Sequence, residues 1–217
     1  MELWATRNEA LEILAGEYAP QAKAIEDLFL VIDECIELFD RKAGDDDFCR
    51  ICGLTLAKAR HLALGAYGLI LDGLGQEAGA LIRPFIEYQE LLTYFRMDTS
   101  RVQRAINNDL PSAGKIAQLI EGCFQEVRDH FNSHASHSSF SEHSMSHLFS
   151  MKEMKIRKEQ PMLPVVLFRN MASFFVQLFL LSNEAVNCLQ TYKLGYAENQ
   201  ANRALALRVI GKEAFRL

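Results

Sequence analysis

The sequence predicts an all-α protein that folds as an up-and-down helical bundle with long buried central helices. Apolar residues recur at helical spacing through most of the 217-residue chain, and no long segment alternates with the period of a strand. Two segments, 76–97 and 165–192, are apolar on most of their circumference, which is typical of buried helices. We expect one domain over residues 1–217, with its core at about 20–193 and a C-terminal helix, 194–217, available to pack on a partner.

The first three helices are predicted from their end signals. Thr6 and Glu9 have the spacing of a capping box at the start of the first helix. Pro20 opens the second helix, and Gly44 is expected to close it as a left-handed C-cap. The acidic run 45–47 places negative charge at the start of the third helix, because it lacks the ligand spacing of an EF-hand loop.

The fourth helix, about 76–97, contains Pro84, which we expect to bend it or mark a local break. One stripe of this apolar helix is polar, and it consists of Arg83, Glu87, Glu90 and Tyr94. We expect the stripe to be internal, with Arg83 paired to Glu87 across one turn, because a buried charge needs a partner. The alternative is that these residues line a ligand cleft.

Four further helices are predicted after the fourth. They span Thr99–Asn107, Ser112 to Arg128, about 165–192, and Ala197–Phe215. Residues 154–157 are the only short strand candidate. A serine-rich segment between 130 and 147 carries five of the six histidines, and a basic run follows it at 152–158.

Composition excludes several classes of protein. The formal net charge of −5 argues against broad, charge-driven binding of nucleic acid. Five scattered cysteines suggest reduced thiols, and the N-terminus lacks the pattern of a secretory signal, so we expect a cytoplasmic protein. The most apolar stretch, 165–181, contains Arg169, Asn170 and Gln177, which favours a core helix over a bilayer span. We therefore expect no membrane partner.

We expect no metal site and no cofactor. Cys49 and Cys52 form a CxxC pair, but no second pair follows at the spacing of a zinc finger, and no strand precedes it as in a redox motif. Two buried helical cysteines are the simpler interpretation. The histidines form two pairs at four-residue spacing, His130 with His134 and His143 with His147, and surface or loop histidines are the interpretation we prefer.

The motif most suggestive of chemistry is Arg128-Asp129 followed by His134. A guanidinium can neutralise the charge that develops on a phosphodiester, and an imidazole can transfer protons near neutral pH. Asp129 would orient the site, while Lys152, Lys155, Arg157 and Lys158 would bind the backbone of RNA. The alternative is a solvated helix end, where cationic side chains favour the negative end of the helix dipole.

Residues 55–140 resemble a family of mostly uncharacterised bacterial helical proteins. The resemblance rests on a helical hairpin with Gly73 or Gly75, Glu77-Ala78, Arg83-Pro84 and Glu87. The family also tends to have a later Ser-x-x-x-His element, and Ser133 with His137 looks like it. This similarity makes His137 a second candidate for the catalytic histidine.

That family is in turn similar to the HEPN superfamily of helical proteins. Many HEPN members are RNases of toxin–antitoxin and phage-defence systems, and their signature is an Arg, a polar residue and a His four to six residues after the Arg. Arg128, Asp129 and His134 fit this form. The resemblance implies a homodimer in which both motifs line one cleft.

Two functions stay open from the sequence, so we leave undecided whether the protein is an enzyme. The first is a metal-independent RNase that uses Arg128 and His134. The second is a non-catalytic helical module that binds a partner protein or a small ligand near Arg83, Glu87 and Glu90.

Overall fold

The computed structural model describes residues 4–122, 149–150, 152–156, 162–191 and 197–215, and these residues are almost entirely helical. This confirms the predicted all-α bundle. The helices are α1 (Ala5–Ala15), α2 (Ala19–Ala43), α3 (Asp47–Leu71), α4 (Gly75–Met97), α5 (Val102–Ile106), α6 (Ala113–Leu119), α7 (Pro164–Thr191) and α8 (Ala197–Phe215). A 3-10 turn at Thr99–Arg101 precedes α5, and two short strands, β1 (Phe149–Ser150) and β2 (Lys155–Ile156), pair as an antiparallel hairpin.

Several helix ends follow from the signals in the sequence. Pro20 lies in the first turn of α2, and Gly73 has a φ of 77° in the turn between α3 and α4. Asp46 caps α3, because its carboxylate accepts a hydrogen bond from the Cys49 backbone N–H at 2.8 Å. The helix α4 continues through Pro84 without a break. The predicted strand at 154–157 contains β2, and α8 has the predicted limits.

Two predicted caps are wrong. The N-cap of α1 is Trp4, which makes no side-chain cap, so Thr6 lies inside the helix and cannot begin a capping box. Gly44 has a right-handed conformation, with φ −68° and ψ −36°. It needs no left-handed turn, because the next two backbone N–H groups, at positions 45 and 46, still bond to the carbonyl of Lys42.

The helix α6 ends at Leu119, well before the predicted limit at residue 128. Glu121 has a φ of 53°, and the Gly122 N–H donates to the Ala117 carbonyl at 2.8 Å. This is the Schellman arrangement, in which a left-handed residue closes a helix. That residue is usually glycine and is glutamate here, so the sequence carries no clear signal for the end. Residues 123–128 lie outside the described part of the chain.

The helix α7 packs against α2, α3, α4 and α8, and the bundle is built around it. Tyr67 of α3 stacks on Phe174 of α7 with 5.5 Å between ring centroids, and Phe29 of α2 lies 6.2 Å from the same ring. We expected α4 and α7 to be the two most buried helices, but α3 is buried as thoroughly as either. The core is therefore shared among three long helices.

Length and composition alone would also allow α7 to cross a membrane. Its most apolar window has a mean hydropathy of 1.6, and it is the one helix of the described residues that is long and apolar enough to span a bilayer. The core helix of a water-soluble bundle can be equally long and apolar, so length and composition are weak evidence for a membrane span. The contacts of α7 with four other helices support the core assignment.

The direction of each long helix follows from which residues meet. Asp33 of α2 bonds to Arg60 of α3, and Phe39 lies against Gly53, so α2 and α3 are antiparallel. A short turn then reverses the chain into α4. Gly75 of α4 lies beside Asn170 of α7, whereas Leu92 lies beside Cys188. The helices α4 and α7 are therefore parallel, and the chain between them returns to the end of the bundle where α4 began.

The C-terminal helix α8 packs on α2 and α7 of its own chain. Arg203 pairs with Glu34 of α2, and the Gln21 side chain donates to the Ala214 carbonyl at 2.7 Å. The inner side of α8 is buried and includes Leu207, Gly211 and Phe215. Its outer side is exposed and includes Leu205, Val209 and Ile210. Packing of this outer side on a partner stays a prediction.

The helix α8 lies close to α7 at Gly211, where an added Cβ would overlap the ring of Phe175. We predict that Gly211→Ala lowers the free energy of unfolding by about 1–3 kcal/mol, because the ring cannot yield without disturbing the core. Gly114→Ala in α6 is the matched control. Nothing lies within 4 Å of its added Cβ, so we expect stabilisation of about 0.5–1 kcal/mol. Urea unfolding followed by circular dichroism measures both changes in the free energy of unfolding. Equal effects of the two substitutions would contradict the close contact between Gly211 and Phe175.

Candidate functional site

The predicted site residues fall into three groups. Arg83, Glu87 and Glu90 lie on α4, and the exposed Lys152 and Lys155 lie in the β1–β2 hairpin. The predicted catalytic and remaining basic residues lie outside the described part of the chain, and these are Arg128, Asp129, His134, His137, Arg157 and Lys158. The described geometry therefore bears on α4 and on the two lysines.

Arg83, Glu87 and Glu90 form what we name the polar face of α4. Residues on a helix are separated by 100°, so positions nine apart point in opposite directions. Leu92, nine residues after Arg83, contacts Cys188 of α7, and Arg96, nine residues after Glu87, pairs with Glu184 of α7. The polar face therefore lies on the side of α4 away from the central helix.

Arg83 and Glu87 are at the accessible end of this face. Their side chains are 39% and 28% exposed, and the Arg83 Nε lies 3.4 Å from the Glu87 Oε1. The predicted pairing across one turn is present, but both groups are more exposed than an internal pair. The contact lacks the geometry of a hydrogen bond. Within the described residues, the buried Nε of Arg83 has no hydrogen-bond acceptor.

Glu90 is at the buried end of the polar face and is 2% exposed. A Cβ added to Gly122, just past the end of α6, would lie 3.0 Å from its Oε1. The carboxylate is therefore covered by the segment that ends α6, which packs on α4. Its burial agrees with the expectation that the stripe is internal at this position.

Tyr94 continues the stripe and closes it at its C-terminal end. The ring is 2% exposed, and the Arg101 guanidinium lies over it at 4.5 Å from the centroid. Arg101 also donates to the Tyr94 carbonyl at 3.1 Å. The 3-10 turn after α4 thus folds back over the tyrosine, and the accessible part of the stripe is limited to Arg83 and Glu87.

The sequence does not predict the ion pair that joins α4 to α7. The Arg96 Nε donates to the Glu184 Oε1 at 2.5 Å, and Glu184 is 8% exposed. This hydrogen bond raises the pKa of the Arg96 guanidinium. The two residues are far apart in sequence, so no helical spacing links them. The pair holds α4 to α7 and belongs to the scaffold of the bundle.

The cysteines of the CxxC pair belong to the core, as predicted. Cys49 and Cys52 are fully buried on α3. Burial raises the pKa of Cys49 to about 12, and a hydrogen bond with Cys52, followed by burial, raises the pKa of Cys188. Thiols with raised pKa values are poor nucleophiles and poor metal ligands. Among the described residues no three His, Cys, Asp or Glu side chains cluster as a metal site.

A groove of about 480 Å³ lies away from the polar face of α4. It runs between the turn joining α2 to α3 and the 3-10 turn that follows α4, and its lining includes the acidic run 45–47. Asp46 caps α3, and Asp47 pairs with Arg50 and accepts from Gln103 at 2.8 Å. These two carboxylates have structural partners, so the groove is a weaker candidate than the α4 face.

Comparison with known proteins adds no assignment. The chain matches no protein-family model, no curated protein and no solved structure. The functional argument therefore depends on the residues of this chain.

Arg96 and Arg83 lie on one helix and each contact a glutamate, so they make a matched pair of variants. We predict that Arg96→Met lowers the free energy of unfolding by about 2–4 kcal/mol, because it leaves Glu184 buried without its cation. Arg83→Met should cost less than about 1 kcal/mol, since its ion pair is partly exposed to solvent, whereas Glu184 is buried. Urea unfolding distinguishes the two. An equally large loss of unfolding free energy in Arg83→Met would show that the polar face stabilises the fold.

Proposed function

We propose that this chain is a non-catalytic helical module that binds a partner protein or a small ligand at the polar face of α4. One observation carries the proposal. The Nε of Arg83 is buried and has no hydrogen-bond acceptor in the described chain, although the rest of its side chain is accessible. A buried donor without an acceptor costs about 1–3 kcal/mol, and a ligand that brings an acceptor would recover that energy.

The charges of the face suggest the chemistry of such a ligand. Arg83 requires an acceptor, for which a carboxylate, a phosphate or a peptide carbonyl would serve. Glu87 lies one turn away and can accept hydrogen bonds from an ammonium or amide group of the same ligand. A ligand with both groups, such as an amino acid or a peptide segment, would match the face better than a simple anion.

Binding at this face can be separated from stability. In a thermal-shift screen of amino acids, short peptides, carboxylates and phosphates, we expect at least one class to raise the Tm of the wild type. Arg83→Met should lose that rise while keeping nearly the same Tm without ligand. Arg169→Met changes an exposed arginine on α7 and is the control. A rise that persists in Arg83→Met would remove the α4 face as the site.

We also propose a second function, a HEPN-like, metal-independent RNase acting as a homodimer. Two observations favour keeping it. Gly122 lies against Glu90, and the sequence that carries Arg128 and His134 begins at the next residue. Lys152 and Lys155 are exposed and available to phosphate groups. In this proposal the polar face of α4 belongs to the wall of the cleft.

The chemistry would be internal attack within the RNA. His134 would take the proton of a ribose 2′-hydroxyl, whose oxygen would then bond to the adjacent phosphorus. The bond from phosphorus to the 5′-oxygen would break, and that oxygen would receive the proton from the imidazolium of His134, which would return to its neutral form. Arg128 would neutralise the added charge on the phosphate, and Asp129 would orient the site. His137 is the alternative base that the family resemblance implies.

The RNase proposal predicts that His134→Ala abolishes cleavage of single-stranded RNA without changing the Tm. Cleavage by the wild type should persist in a chelator, because none of the steps uses a metal. His61→Ala, an exposed histidine on α3, is the control and should stay active. Wild-type protein that leaves RNA intact, or His134→Ala that cleaves normally, would leave the binding module as the better account.

A further inference from the structure

The outer side of α8 presents large apolar side chains to solvent. Leu205 is 58% exposed, Val209 is 54% exposed and Ile210 is 49% exposed. Leu30 of α2 is 47% exposed and lies one turn before Glu34, which pairs with α8, so it extends this surface. At about half exposure each, four such side chains form a patch of roughly 300–600 Å², the size of the largest patches on monomeric proteins, which are often functional.

The exposed residues of α8 follow the heptad spacing of a parallel coiled coil. Asn202, Leu205, Val209 and Lys212 are separated by three, four and three residues, and we name this line of residues the seam of α8. Leu207 is buried on the opposite side of the helix. Parallel two-stranded coils favour a β-branched residue and a leucine at successive seam positions, and one asparagine in the seam fixes their register. The seam therefore suits a second α8 that runs in the same direction.

Two exposed charges flank the seam on opposite sides. Arg208 is on the side of α7, where its guanidinium lies 5.7 Å from the centroid of the Phe179 ring. Glu213 lies about 140° further around the helix, on the side of α2. In a parallel pair, Arg208 on one flank would meet the partner's Glu213 on the other, whereas an antiparallel pair would bring the two arginines together. The charges therefore favour the parallel arrangement.

We propose that α8 pairs in parallel with α8 of a second copy of this chain. Leu205 and Val209 would pack on the same residues of the second copy, and Arg208 would pair with the partner's Glu213 twice in the dimer. An isolated coil of this length would be unstable, but α8 is already held as a helix by α2 and α7. The two patches and their rims would bury on the order of 1,000 Å², at the low end of protein interfaces, so we expect micromolar affinity.

The charges of α8 also identify the occupant. A surface that carries an apolar seam, a base on one flank and an acid on the other is its own complement, and a partner of a single charge would match only one flank. The interface would serve the homodimer of the RNase proposal. It depends on neither proposed function, because the polar face of α4 and the segment with Arg128 and His134 contribute no residue to it.

Analytical ultracentrifugation of the whole chain tests the pairing. We expect the wild type to pass from monomer to dimer between about 1 and 100 μM. Val209→Glu places a carboxylate in the seam of both copies and should leave a monomer throughout this range, while the Tm stays nearly the same. Leu54→Glu changes a leucine on α3 that is 60% exposed. It is the matched control and should dimerise like the wild type.

Charge reversal and disulfide trapping test the orientation. Arg208→Glu and Glu213→Arg should each weaken the dimer about tenfold, because each brings like charges together. The double variant with both substitutions should dimerise like the wild type, since the pairs are restored in the opposite sense. Asn202→Cys and Val209→Cys, seven residues apart in the seam, should each form a disulfide between copies in oxidised glutathione, in contrast to the wild type. An antiparallel pair would form it at one of these positions at most.

Four results would overturn the proposal. They are a wild type that is monomeric throughout the range, a dimer that survives Val209→Glu, loss of the dimer in Leu54→Glu, and a double reversal that binds no more tightly than the single ones. A monomeric wild type would also remove the homodimer from the RNase proposal and leave the binding module standing. The other three results would leave both functions standing, because Arg83 and His134 are unchanged in all these variants.

Discussion

Apolar packing around α7 is the constraint on which the rest of the structure depends. The helix presents aromatic residues such as Phe174 to α2 and α3, and Phe175 to α8. Because four helices share its surface, each must turn its own apolar side towards it. Within this arrangement α4 and α7 run parallel. Because Gly211 has no side chain, α8 can approach α7 closely enough to pack on Phe175.

The position of α7 also distinguishes the polar groups of α4 that face it from those that face away from it. Arg96 points towards α7, where a buried glutamate is its partner and the pair is structural. Arg83 points away from α7, and its Nε lacks an acceptor within the described residues. In the binding module that we propose, this donor is the group to which a ligand would bond. Position relative to α7, rather than residue type, distinguishes the two arginines.

Sequence periodicity predicted most of the long helices, because helical spacing and proline or glycine at the ends are local signals. The ends of α6 and α1 were not predictable in this way. Glu121 adopts a conformation that glycine usually supplies, and Trp4 caps α1 without a side-chain bond. In the candidate site, the contact of Arg83 with Glu87 is an i, i+4 pair and was predicted. The Arg96–Glu184 pair depends on tertiary packing of distant segments, which no local pattern encodes.

Hydrogen exchange of the purified chain in detergent-free buffer tests the central claim, that α7 is the core of the bundle, most directly. The account predicts that backbone amides of α7 between Leu167 and Leu189 exchange among the slowest in the protein, together with those of α3 and α4, because opening them requires global unfolding. Addition of lipid vesicles should leave these rates unchanged. Fast exchange of α7 in buffer, with protection gained only in detergent or lipid, would contradict the account and make α7 a membrane-seeking helix.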